Sequence, residues 1–139
     1  MPIFPREKLP TVTVPMKPAY TKPGNEPPAK TLVLTTSYFA SEKNPKHAFQ
    51  EACEQQGAHF NEPAFYYRKA CILIQLKSYS RAEQELKNLI ADIPNNSDYH
   101  LARAFCYYKM KNKTAADDEI NTARFHNPRL PENIEIGNE

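Results

Sequence analysis

At 139 residues the chain has the length of one domain with a modest core, and three glycines suit helices joined by short turns rather than an all-β fold. Its net charge of +2 is spread over interspersed acids and bases with no Lys/Arg block, which gives no sign of nucleic acid as a partner. No apolar run approaches membrane-spanning length, and Met1-Pro2-Ile3-Phe4-Pro5-Arg6 lacks the apolar stretch of a secretory leader. The expected location is therefore intracellular, the cytoplasm by default, with an organelle left open.

Eight of the 13 prolines lie within residues 2–28, leaving no stretch there long enough for a helix. Residues 1–30 are accordingly expected to form an extended, partly polyproline II arm with too few apolar residues for a core of its own. Ile3, Phe4, Leu9, Val12, Val14, Met16 and Tyr20 recur along it at intervals that a purely solvating linker does not need. Two readings stay open: a solvated tail, or an arm that lies along a partner or folds back on its own domain.

Residues 31–62 are less regular. Thr31 to Ala40 is rich in β-branched residues, which favour a strand, while its place in the chain favours the first helix of a degenerate hairpin. Helix is the reading adopted. A second helix is expected from about Pro45 to Gln56, with Ala48, Phe49, Ala52 and Cys53 as its apolar stripe.

From residue 63 the pattern sharpens. Tyr66, Ile72, Leu73 and Leu76 mark one helix; Ala82, Leu86, Leu89 and Ile90 mark the next. Pro94, with Asn95 and Asn96, stops that run, and Ser97 or Asp98 offers a cap for another helix bearing Leu101, Ala104, Phe105 and Tyr108. Ala115, Ala116, Ile120 and Ala123 follow until Asn127-Pro128. Residues 129–139 read as a short acidic tail. The last helix is then covered either by that tail or by another subunit.

Three pairs recur at a spacing of 34: Ala70 with Ala104, Ala82 with Ala116, and Pro94 with Pro128. That period marks tandem helix–turn–helix units at 63–96 and 97–128, and Ala48 keeps the register one unit earlier. The chain resembles the tetratricopeptide repeat family. Tyr66, Lys69, Ala70, Leu73, Ala82, Leu86 and Pro94 fall at the family's positions in one unit, and His100, Arg103, Ala104, Tyr107, Ala116, Ile120 and Pro128 in the next. The departures are His100 at an aromatic position and Lys69 and Arg103 at leucine positions. The resemblance implies an all-α solenoid of antiparallel helix pairs, residues 31–128, carrying the proline-rich arm. It also implies a concave groove lined by Tyr67, Cys71, Ile74, Leu101, Phe105 and Tyr108. The family's carboxylate clamp is absent, because Tyr67 and Cys71 occupy its lysine and asparagine places and Ala102 the second asparagine. An apolar, aromatic groove suits an amphipathic helix or extended apolar peptide; equally, these residues form core or lie beneath the chain's own arm.

Chemistry-bearing constellations are sparse. Three cysteines at irregular spacing make no disulfide framework, and Cys71 and Cys106 read as small buried hydrophobes. His47, Cys53 and His59 lie six apart, the wrong spacing for a shared metal face on a helix, so no metal or cofactor is expected. Asp117, Asp118 and Glu119 form an acid run that suits solvent, and no phosphate loop or nucleophile elbow occurs. The expectation is a non-catalytic protein-binding module, a structural or adaptor subunit of a hetero-oligomer. The alternative is a small chaperone shielding an apolar segment of a client, such as a secretion-system component.

Overall fold

The computed structural model describes residues 30–137. The arm, with Ile3, Phe4, Leu9, Val12, Val14, Met16 and Tyr20, lies outside the described residues apart from Lys30. The chain enters as strand β1 (Thr31–Leu34), turns through a four-residue helix α1 (Thr36–Phe39) and continues into α2 (Pro45–Gln55) and a 3-10 turn (Gln56–His59). Four longer helices follow: α3 (Pro63–Gln75), α4 (Tyr79–Asp92), α5 (Ser97–Lys109) and α6 (Lys113–His126). Strand β2 (Asn133–Ile136) closes the described chain.

Local chemistry fixes the helix ends. Pro45 and Pro63 stand in the first turns of α2 and α3, where a missing N–H costs nothing. The Asn44 side chain accepts from the His47 amide, Asn96 from the amides of Asp98 and Tyr99, and Asn112 from that of Ala115. The cap of α5 is therefore Asn96, one residue before the expected Ser97 or Asp98. Its amide-oxygen side chain reaches two orphan donors at once.

The 34-residue period of the sequence is a period of the backbone. Pro63 and Ser97, Gln75 and Lys109, Tyr79 and Lys113, Asp92 and His126 bound the four helices, each pair 34 apart. The turns inside the two helix pairs also match. Lys77 (φ 64°) and Lys111 (φ 68°) are the described non-glycine residues with positive φ. The Ser78 amide donates to Leu73 O and Lys77 to Ile74 O, while Asn112 donates to Tyr107 O and Lys111 to Tyr108 O. These are two Schellman closures that satisfy the last carbonyls of α3 and α5. A left-handed lysine costs about 1 kcal/mol in each, which the paired hydrogen bonds offset.

Small residues set how closely the helices approach. Ala70, Ala82, Ala104 and Ala116 are all essentially without solvent exposure, and larger side chains interlock around them. Leu73, Ile74, Leu86, Leu101, Phe105 and Cys106 make the centre of the main core.

Two findings correct the expected layout. Residues 31–40 do not make the first helix of a hairpin. The alternation of Thr31, Leu32, Val33 and Leu34 forms a strand, and only Thr36–Phe39 is helical. The acidic tail likewise contains a strand: β2 runs parallel to β1, pairing Thr31 with Asn133 through Leu34 with Ile136. Hydrogen bonds from Asn133 N to Lys30 O (3.2 Å) and Gly137 N to Leu34 O (2.8 Å) extend the ladder at both ends. The mostly helical domain thus carries a two-stranded parallel ribbon, with the intervening helices as its crossover. Through β2 the tail also covers part of the last helix. Ile134 packs on the Ala104, Ala116 and Ile120 cluster, and Leu130 and Ile136 pack on the main core. Phe125 remains 79% exposed.

Candidate functional site

The face expected to be a groove is occupied by the chain itself. Ile74, Leu101 and Phe105 have no solvent exposure, Cys71 is buried, Tyr67 is half-buried, and Tyr108 is the most exposed of the six, at 36%. Their cover is residues 32–42. Leu34 sits fully buried in the same core cluster, with Leu32 and Phe39 packed against it. The Phe39 and Phe105 rings lie 5.2 Å apart, and Tyr67 meets Tyr99 at 5.2 Å. Burying a Leu34-sized side chain contributes about 1.5–3 kcal/mol, enough to hold a short segment in place.

Polar contacts fix the end of that segment. The Glu42 amide donates to Gln75 Oε1 at 3.0 Å, and Gln75 Nε2 donates to Glu42 O at 2.8 Å. The side-chain amide thereby holds one residue's backbone through both of its polar groups, as a neighbouring strand would. The guanidinium of Arg68 adds an ion pair to Glu42 at 3.1 Å. On the far side, Lys109 donates to Gly137 O at 3.1 Å and sits 5.2 Å from the Phe105 ring centre.

A second constellation, missed from sequence, lies between the helix pairs. Arg103 on α5 donates through Nε (3.0 Å) and Nη2 (2.8 Å) to Glu83 Oε2 of α4, and through Nη1 to Glu119 Oε2 of α6 at 3.0 Å. The Tyr107 hydroxyl donates to Glu83 at 3.2 Å. His100 lies with Nδ1 2.6 Å from Glu119 Oε1 and Nε2 2.7 Å from Pro94 O. Burial alone would weaken the Arg103 cation, but Glu83 and Glu119 outweigh it and raise its pKa above the ordinary arginine value. Glu119, read as part of a solvated acid run, is instead turned inward; Asp117 and Asp118 do face solvent. The first pair carries the same device. Lys69 donates to Glu85 at 3.2 Å and to Gln56 at 2.6 Å. Lys69 and Arg103, like Glu85 and Glu119, are 34 apart. That coincidence was the available signal: a cation on one helix and a carboxylate on the next, both repeating in register.

The remaining candidates are dispersed. Cys71 and Cys106 are buried and Cys53 exposed, all three free. Burial pushes both buried thiols up to about 12, so they are protonated and unreactive at neutral pH. Burial also raises the Tyr67 hydroxyl, which is hydrogen-bonded to Cys71. His47 pairs with Glu51 and His59 with Glu62, each within its own local turn. Among the described residues no cluster of three or more His, Cys, Asp or Glu is placed to hold a metal ion. No helix of the described residues is long and apolar enough to cross a membrane.

Comparison with protein-family models, with curated proteins and with solved structures returns no match for this chain.

Proposed function

We propose that the chain is a non-catalytic protein-interaction subunit built from tetratricopeptide-like helix pairs, recruited into a larger assembly by its proline-rich arm. The observation that carries this reading is the occupied face of α3 and α5. Ile74, Leu101 and Phe105 lie beneath Leu34 and Phe39, and the arm leads directly into that cover through Lys30. A chain that fills its own peptide-binding face is suited to displaying other surfaces rather than sheltering a client. Free Cys53, Cys71 and Cys106 are in keeping with a reducing intracellular compartment.

The chaperone reading requires residues 32–42 to leave the groove, and the Gln75–Glu42 pairing and the β-ribbon oppose that. The two readings separate in one comparison. Tagged full-length protein and a chain beginning at Lys30 are purified from native cells and their co-purifying proteins quantified. A stable, near-stoichiometric set of subunits that is lost without the arm supports the structural reading. A single dominant client retained by both chains contradicts it and returns the groove to the centre of the account.

A further inference from the structure

The two helix pairs differ at one equivalent place. A cleft of about 230 Å³ opens beside α4, lined by Phe60, Tyr66, Glu85, Asn88, Leu89 and Asp92. It continues past Pro63 and Ile93 into a second hollow of about 170 Å³ that shares Phe60, Tyr66, Leu89 and Asp92. Phe60 stands 67% exposed at its rim, a large apolar ring left in solvent.

Thirty-four residues on, different side chains occupy the corresponding positions. Pro94 stands for Phe60, His100 for Tyr66, Glu119 for Glu85 and His126 for Asp92. There the His126 imidazole stacks on the His100 ring, centroids 5.6 Å apart and 21° from parallel, while His100 reaches Glu119 and Pro94 O. A planar nitrogen ring from the chain's own last helical turn thus caps the second pair. In the first pair that turn offers the carboxylate of Asp92, and the planar nitrogen group is missing.

The electrostatics match the shape. The last turn of α4 contains no basic residue, whereas that of α6 carries Arg124 and His126. Asp92 therefore adds negative charge to the negative end of the α4 dipole. It makes no ion pair or hydrogen bond among the described residues, while Glu85 is matched by Lys69 from the other side. A cleft with aromatic faces and one unmatched carboxylate takes a flat cation, which can stack on a ring and bind the carboxylate through two N–H groups.

We propose that this cleft is a docking site for an arginine side chain of a partner protein. The inference stands apart from the role of the arm, since the cleft lies on α4 and the 60–66 turn rather than on the filled groove. Isotope-labelled full-length protein is titrated with N-acetyl-arginine-amide and followed by NMR, with the neutral isostere N-acetyl-citrulline-amide as control. Saturable shifts confined to Phe60, Tyr66 and Asn88 with arginine, and not with citrulline, are expected. Asp92→Asn should weaken binding at least about fivefold. Asp92→His, which copies the second pair, should close the site and abolish the shifts. Equal shifts with both probes, or arginine binding undiminished in Asp92→Asn, overturn the proposal. If Arg6→Ala makes the full chain bind the probe several-fold more tightly, the occupant is the chain's own arm and the partner assignment fails.

Discussion

Replacing Arg103 with methionine removes the guanidinium that bridges Glu83 and Glu119 while leaving a side chain of similar length to fill its track. The side chains of Arg103, Glu83 and Glu119 are 18%, 11% and 13% accessible, so water reaches them only in part. Breaking a fully buried ion pair costs about 3–5 kcal/mol because the remaining charge is stranded. Partial hydration discounts that figure here, to a loss of about 2–4 kcal/mol. For a domain of this size the melting temperature should fall by roughly 8–16 °C. The same reasoning fixes a compensating variant. Arg103→Met combined with Glu83→Gln and Glu119→Gln leaves no stranded charge, and the new amides still accept from Tyr107 and face His100. Most of the lost stability should return. Urea unfolding followed by circular dichroism at constant m-value measures both changes. A single-variant loss below about 1 kcal/mol, or a triple variant no better than the single, would refute the idea that charge burial holds the helix pairs in register.

Lys77→Gly and Lys111→Gly each remove a left-handed strain of about 1 kcal/mol at the cost of a more flexible unfolded chain, so a net gain near 0.5 kcal/mol is expected in thermal unfolding. A loss in either variant contradicts the Schellman geometry of that turn. Phe39→Ala should cost about 2–3 kcal/mol and speed amide exchange across residues 32–42, since it removes the ring packed on Phe105; unchanged exchange there means the cover is held some other way. Cys53 should be alkylated rapidly at pH 8, and Cys71 and Cys106 only on unfolding. Because both buried thiols have folded pKa values raised from 9.0 to about 12, the unfolded chain loses these protons first as pH rises. Stability should therefore be intact below pH 9 and fall between about 9 and 12, by at most about 1.4 kcal/mol per unit for each thiol. Cys106→Ala should flatten that limb; a flat limb in the unaltered protein contradicts the burial.

The helical part was legible because its signals are local. Alanines at close-packing positions, prolines at helix ends and apolar residues three and four apart each carry their own physics, and they recur at 34. The ribbon was not legible, because parallel pairing joins Thr31 to Asn133 across nearly the whole described chain and leaves no trace in any short window. The analogy with a third helix pair outweighed the β-branched residues of 31–36, whose strand preference proved the stronger guide to Thr31–Leu34. The residues expected to line a groove lie on α3 and α5, where most of them are buried. What covers them comes from a different segment, which no periodicity within 63–128 discloses. The charge network sat between these cases. Lys69 and Arg103 stood out as departures from an apolar pattern, and their partners Glu85 and Glu119 shared the same spacing. The residue that bridges the two pairs, Glu83, has Asp117 at the same spacing, but Asp117 faces solvent and pairs with Lys113 on its own helix.

The central claim is that partners hold the arm while the face of α3 and α5 stays filled. Lysine cross-linking of tagged full-length protein within its native assembly, read by mass spectrometry, tests it most directly. The account predicts partner cross-links at Lys8, Lys17 and Lys22 of the arm, with intramolecular links alone at Lys43 and Lys109 beside the filled face. Partner cross-links concentrated at Lys43 and Lys109, with the arm lysines bare, would contradict it.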